Sequence, residues 1–233
     1  MVRLLAPLLA AGILAGCAAA PLDSFSAPTP LPAQPQCRAY GEPGALCVVV
    51  LGDSIAAGVP LGGGDRWWVQ LQSLLEAAVP GRAVSVESWA VPGSMVDVLE
   101  SAAREQAALD SFDAAIVIEG VNDEGRLALD VWLARYEAAV AAMQRKGLLV
   151  IVGTPPPGFE SGAFTSRYDA TAAAIRKVAA GQRCPILDVA KRWREDGAAA
   201  AAAYYADLIH QAAPGQRIIA EMASELVIRG TGR

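Results

Sequence analysis

LCVVVLGDS, at residues 46–54, is the stretch that decides the fold. Its first six residues form a continuous apolar run rich in valine, which is typical of a strand buried on both faces of a parallel sheet. A glycine and two polar residues follow at once, at the carboxyl end of the strand, where open α/β sheets bind their ligands. The stretch therefore predicts a buried first strand that leads directly into a functional loop.

Four further apolar runs follow along the chain, at residues 83–89, 114–118, 148–152 and 185–187. Segments of helical periodicity alternate with them, at 67–79, 95–108, 129–146, 167–180 and 216–228. Strands that alternate with helices of this length form βαβ units and a parallel sheet. We expect an α/β fold, a three-layer α/β/α sandwich with a mostly parallel, five-stranded, flavodoxin-like sheet.

The N-terminus has the features of an export signal. Arg3 precedes an uncharged, mostly apolar run that ends in small residues, so we expect residues 1–16 to be a signal peptide. The sequence LAGC that ends at Cys17 resembles the lipobox of bacterial lipoproteins, and the resemblance implies lipidation of Cys17. Ala18 favours the outer membrane if the host is Gram-negative. Plain secretion and an uncleaved anchor remain alternatives.

The segment after Cys17 is rich in proline, alanine and serine, which is typical of an extended tether. We therefore assign residues 17–36 to a lipidated cysteine and a tether that anchors an exported domain to the cell envelope. Cys37 and Cys47 are close enough in sequence to close a small loop in an oxidising compartment. Spacing alone leaves the pairing of Cys37, Cys47 and Cys184 open.

Composition excludes several classes of function. The net charge of −5 and the absence of a Lys/Arg run argue against nucleic acid as a partner. A single histidine and the lack of a CxxC pair argue against a metal site, and no motif indicates a cofactor. The 233 residues, 54% of them hydrophobic, are enough for one domain with a sizeable core.

Polar residues that follow the first three strands, and others that precede the last helix, supply the parts of an acyl-transfer site. Ser54 is a candidate nucleophile, and His210 is the one histidine available to accept its proton. Asp207 precedes His210 by three residues, and on a helical turn this spacing would place both side chains on one side. The backbone amides of Ser54 and Gly93 and the side-chain amide of Asn122 are candidate donors for an oxyanion.

These residues resemble the sequence blocks of the SGNH (GDSL-like) hydrolase family. The matching motifs are Gly52-Asp53-Ser54, Gly93, Gly120-x-Asn122-Asp123 and Asp207-x-x-His210, in the family's order. The resemblance implies an SGNH hydrolase domain at residues 37–233, with Ser54, His210 and Asp207 as catalytic triad and Ser54, Gly93 and Asn122 as oxyanion hole. The sequence departs from the family at two positions: Ser88 stands where many members have Asn, and Gln211 where Pro often follows the histidine.

The expected activity is hydrolysis of carboxylic esters, O-acetyl esters or thioesters through an acyl-enzyme on Ser54. The expected substrate is a small molecule or a glycan or lipid ester, and activity should increase as His210 loses its proton. Two alternatives remain at this stage. One is an O-acyltransferase that modifies an envelope polysaccharide, and the other is a surface lipoprotein that binds without catalysis.

Overall fold

The computed structural model describes residues 37, 39, 41–104 and 106–232. The predicted signal peptide, the tether and the lipidated Cys17 lie outside the described residues and stay predictions. Within the described part of the chain, no helix is both long and apolar enough to cross a bilayer.

The centre of the fold is a five-stranded, entirely parallel sheet with the strand order β2-β1-β3-β4-β7. Its strands are β1 (Leu46–Gly52), β2 (Val84–Ser88), β3 (Ala114–Ile118), β4 (Leu149–Gly153) and β7 (Ile186–Leu187). All five were predicted, and this order is the flavodoxin-like one. A short antiparallel pair, β5 (Phe159–Glu160) and β6 (Ala163–Phe164), was not predicted.

The helices largely follow the sequence periodicity. They are α1 (Ser54–Ala57), α2 (Trp67–Ala78), α3 (Asp97–Arg104), α4 (Gln106–Leu109), α5 (Leu129–Arg145), α6 (Asp169–Gln182), α7 (Val189–Asp196), α8 (Ala198–Ala201) and α9 (Ala213–Gly230). The helix predicted at 95–108 is covered by α3 and α4, with residue 105 between them outside the described residues. Helix α9 is longer than predicted because Pro214 is accommodated in its first turn. The short α1 and α7 were missed.

Two apolar layers cover the sheet, as alternating side chains of a strand must point to opposite faces. Val48 and Val50 of β1 pack in the layer that includes α2, α7 and α9, whereas Val49 and Leu51 pack in the layer of α3, α5 and α6. This arrangement confirms the predicted three-layer α/β/α sandwich.

The cysteines divide into one bonded pair and one free thiol. Cys37 and Cys47 form a disulfide that ties the segment before β1 to β1 itself, with 6.0 Å between the two Cα atoms. Cys184 is a free, buried thiol. The pairing that the spacing permitted is therefore the one that the structure contains, at the amino end of β1 and away from Ser54.

Candidate active site

A tight turn between β1 and α1 presents Ser54. Gly52 adopts φ +132°, and a Cβ at this position would lie 1.8 Å from the carbonyl oxygen of Ile118, so the turn requires glycine. The Asp53 side chain caps α1 by accepting a hydrogen bond of 2.8 Å from the Ile55 amide. Ser54 is consequently the first residue of α1, held at the carboxyl edge of the sheet.

The core beneath α1 holds this turn in place. The Trp67 indole N–H lies 3.1 Å from the Ile55 carbonyl and 3.0 Å from the Ala56 carbonyl, and Trp67 is fully buried. Trp67 is thus a core residue that supports the nucleophile.

The structure brings Ser54, His210 and Asp207 into one chain of contacts. The Nε2 atom of His210 lies 2.9 Å from Ser54 Oγ, and its Nδ1 atom lies 2.8 Å from Asp207 Oδ2. If Nδ1 carries the ring proton and donates a hydrogen bond to Asp207, Nε2 is left to accept a hydrogen bond from the Ser54 hydroxyl. The three residues predicted from sequence therefore have the geometry of a Ser–His–Asp triad.

The local structure of Asp207 and His210 differs from the prediction. The two residues lie in a bend and not on a helical turn. Asp207 Oδ1 accepts hydrogen bonds from the Ile209 and His210 amides, at 2.9 and 2.8 Å, so the side chain itself builds the turn. Burial opposes ionisation of Asp207, but these amides and the His210 ring outweigh it and hold the pKa of the carboxyl below its usual value.

Gln211, one of the two departures from the family pattern, closes this bend. It is fully buried, and its side-chain amide donates to the Ile209 carbonyl. The Gln211 carbonyl accepts a hydrogen bond of 3.3 Å from the side chain of Gln216, whose Oε1 accepts from the Trp67 amide at 3.0 Å. A network of buried glutamines therefore fixes the loop where a proline often stands.

Two of the three candidate oxyanion donors, Gly93 and Asn122, lie on loops that contact each other. Asn122 Nδ2 donates a hydrogen bond of 2.9 Å to the carbonyl of Ser94, the neighbour of Gly93. The other N–H of the Asn122 amide is left for an oxyanion. The Gly93 loop is also fixed to the end of β1, since the Val91 amide donates to the Gly52 carbonyl at 2.8 Å.

Three buried carboxyl groups lie behind these loops: Asp53, Glu119 and Asp123. Burial raises the pKa of Asp53 to about 7 and that of Asp123 to about 6. It also raises the pKa of Glu119 well above its usual value, with further contributions from the charges of Asp53 and Asp123. No group of three or more His, Cys, Asp or Glu residues in the described part of the chain is arranged to hold a metal ion.

Glu119 and Ser94 were not among the site residues predicted from sequence. Asp123 accepts a hydrogen bond from the Val96 amide at 3.1 Å, so it links its loop to the segment before α3. One signal was available for Glu119, an acidic residue directly after the fully apolar strand β3.

The β5–β6 hairpin borders the His210 loop. The Phe159 amide donates to the Leu208 carbonyl at 2.9 Å, and the Phe159 ring stacks on Tyr205 with 4.8 Å between centroids. The Tyr205 hydroxyl donates to the Pro157 carbonyl at 2.6 Å. Leu208, between Asp207 and His210, leaves 56% of its surface exposed. These contacts place the aromatic rings of Phe159 and Tyr205 next to the loop that carries Asp207 and His210.

The sequence matches a known protein family over most of its length. The model of the GDSL-like Lipase/Acylhydrolase family matches residues 50–218, which include every residue of the candidate site. The chain belongs to this family. As a GDSL-like protein it is a hydrolase that acts on ester bonds. A search of curated proteins gave no significant match.

Solved structures share the fold of this GDSL-like domain. The acetyl xylan esterase AlAXEase is 20% identical, with a TM-score of 0.65 over 76% of this chain and 98% of that chain. A lipase/acylhydrolase from Enterococcus faecalis is 21% identical, with a TM-score of 0.64 over 81% and 97%. TesA is 19% identical, with a TM-score of 0.61 over 79% and 98%. At these identities the likeness shows the fold.

Proposed function

We propose that the protein hydrolyses carboxylic esters through an acyl-enzyme on Ser54. The observation that carries the proposal is the continuous contact from Ser54 Oγ to His210 Nε2 and from His210 Nδ1 to Asp207, at 2.9 and 2.8 Å. These distances are within hydrogen-bond reach, which is the first requirement for a general base and its nucleophile.

In the first half of the reaction, Ser54 Oγ attacks the ester carbonyl carbon while His210 Nε2 takes the hydroxyl proton. Asp207 holds the ring and stabilises the imidazolium that forms. The tetrahedral intermediate then collapses: the bond from carbon to the alcohol oxygen breaks, and His210 returns its proton to the leaving alcohol. In the second half, water attacks the acyl carbon with His210 again as base, and Ser54 is released with a carboxylic acid.

The oxyanion of each tetrahedral intermediate is stabilised by the Ser54 and Gly93 amides and by the Asn122 side chain. The hydrogen bond from Asn122 to the Ser94 carbonyl supports this role because it fixes the amide before substrate arrives. Donors that are already oriented lower the barrier without reorganisation during the reaction.

For the substrate we propose an O-acetyl or other short-chain ester of a glycan or small molecule. The family supports an ester in general, and the structurally similar acetyl xylan esterase supports acetyl as the first acyl group to test. Transfer of the acyl group to a glycan hydroxyl would use the same residues, and analysis of products with a glycan acceptor present separates it from hydrolysis.

The test is hydrolysis of p-nitrophenyl esters from acetyl to dodecanoyl by the full chain, by Ser54→Ala and by Ser101→Ala. Ser101 lies on α3 and makes none of the contacts described above for the site, so this variant is the matched control. We expect release of p-nitrophenol by the parent and by Ser101→Ala, with a loss of at least about a thousandfold in Ser54→Ala. Equal activity of Ser54→Ala and the parent would refute the mechanism.

We further propose that the protein is exported and anchored by a lipid on Cys17. The LAGC sequence before the tether supports this proposal. Metabolic labelling with an alkyne fatty acid tests it in a bacterial host. The parent should carry the label and Cys17→Ser should not, and an unlabelled parent in the soluble fraction would contradict the anchor.

A further inference from the structure

Ser94 connects the loops that carry the oxyanion donors. It is almost fully buried, and its carbonyl accepts the hydrogen bond from Asn122. Its hydroxyl oxygen lies 3.3 Å from the Gly52 carbonyl oxygen and 3.2 Å from Glu119 Oε2. Ser94 thus joins the turn that contains Gly93 to the end of β1 on one side and to the end of β3 on the other.

The number of hydrogens available for donation indicates which group donates in each of these two hydrogen bonds. A serine hydroxyl has one hydrogen, and the Gly52 carbonyl can only accept. If Ser94 donates to Gly52, its oxygen can accept from Glu119, provided that Glu119 Oε2 carries a proton. With Glu119 ionised, the single Ser94 hydrogen serves one contact, and the other brings two lone pairs together.

The surroundings of Glu119 also favour its neutral form. Its side chain is completely buried, and its hydrogen-bond partners among the described residues are the Gly120 amide at 2.9 Å and Ser94. The largest charge contributions to the surroundings of Glu119 come from two other carboxyls, Asp53 and Asp123, which disfavour a second negative charge beside them. Ionising a carboxyl that is buried next to two other carboxyls costs free energy, so Glu119 keeps its proton.

We propose that Glu119 is a positioning residue which, as a neutral carboxylic acid, donates to Ser94 and through Ser94 fixes the Gly93 turn to the Gly52 carbonyl. The consequence is that the Gly93 amide and the Asn122 side chain keep their places around the oxyanion. This role rests on the proposed function. The protonation of Glu119 itself does not, because it follows from the local contacts and burial.

The first test measures protonation without reference to activity. In the full chain labelled with carbon-13 at the glutamate carboxyl, the resonance of Glu119 is assigned by its loss in Glu119→Gln. We expect this resonance at the chemical shift of a protonated carboxyl at neutral pH. A resonance at the shift of a carboxylate would overturn the inference, whether or not the protein hydrolyses any ester.

The second test uses kinetics to show what the proton does. Glu119→Gln replaces the donating O–H with a donating N–H and keeps the acceptor for Gly120, so we expect kcat to stay within about threefold of the parent. Ser94→Ala breaks the link and should lower kcat by about tenfold or more, with KM within about threefold, since the displaced groups act on the transition state.

If kcat fell as far in Glu119→Gln as in Ser94→Ala, the proposed role of a neutral Glu119 would be overturned, because the negative charge would then be what matters. Unchanged kcat in Ser94→Ala would overturn it too. If Ser94→Ala does not fold, the kcat of Glu119→Gln and the carboxyl resonance of Glu119 still test the proposal. An inactive parent with a protonated Glu119 would refute the proposed function and leave the protonation established.

Discussion

Asp123 gives a direct prediction of how stability depends on pH. Its side chain is buried, one oxygen accepts from the Val96 amide, and the other, Oδ2, has no hydrogen-bond partner among the described residues. Burial is the main reason that its pKa is raised from 3.8 to about 6, while the Val96 hydrogen bond and Arg135 act in the opposite direction. Between these two pKa values the folded protein binds more protons than the unfolded chain, so the free energy of unfolding falls as pH rises.

The magnitude follows from the two pKa values. A rise from 3.8 to about 6 corresponds to about 3 kcal/mol, present at acidic pH and lost once the pH exceeds the folded-state value. Asp123→Asn keeps the acceptor for Val96 but cannot ionise. The decrease in unfolding free energy between about pH 4.5 and about pH 7.5 should therefore be smaller in this variant than in the parent by about 2 kcal/mol.

Urea denaturation at the two pH values measures this difference. The comparison is between pH dependences, so a constant effect of the substitution on stability cancels. Asp65→Asn is the matched control, since Asp65 is exposed and its carboxyl is hydrated in both the folded and the unfolded chain. The same pH dependence in Asp123→Asn and in the parent would refute the reasoning that burial penalises the Asp123 charge.

Three further predictions concern the oxyanion hole, the disulfide and the nucleophile turn. Asn122→Ala should lower kcat/KM by about a hundredfold to a thousandfold through loss of one oxyanion donor, and a loss below about tenfold in ester kinetics would contradict that role. Replacing Cys37 and Cys47 with alanine opens a short loop and should lower the unfolding free energy by about 2–3 kcal/mol with kcat unchanged; an unchanged denaturation midpoint would contradict this. Gly52→Ala should yield no folded protein by circular dichroism because its Cβ meets a β3 carbonyl, whereas the control Gly64→Ala, with open space around it, should fold.

The sheet and the main site residues could be predicted because their signals are local or fixed by topology. The apolar run at 114–118 matches β3 residue by residue. A strand that is buried on both faces is apolar at every position, so the first and last apolar residues mark its ends. The contact of Ser54 with His210 spans 156 residues, and topology places only Ser54, which follows β1 at the carboxyl edge of the sheet. The family's motif order supplied the rest of that prediction.

Features that depend on side-chain networks could not be predicted. The spacing of Asp207 and His210 fits a helical turn as well as the observed bend, and what decides between them is the Asp207 carboxylate bonding to two amides. Gln211 stands where proline often follows the histidine, and only the structure shows that its burial beside Gln216 makes it part of the loop's support. The partnership of Glu119 with Ser94 joins residues from two loops and left no periodic signal in the sequence.

The most direct test of the central claim is to identify the residue that becomes covalently modified. The full chain is treated with a p-nitrophenyl phosphonate, digested and mapped by mass spectrometry, in parallel with His210→Ala. The account predicts one adduct per chain, on the peptide that contains Ser54, and a much slower reaction in the His210 variant. An adduct on another residue, or equal labelling without His210, would contradict a Ser54 nucleophile activated by His210.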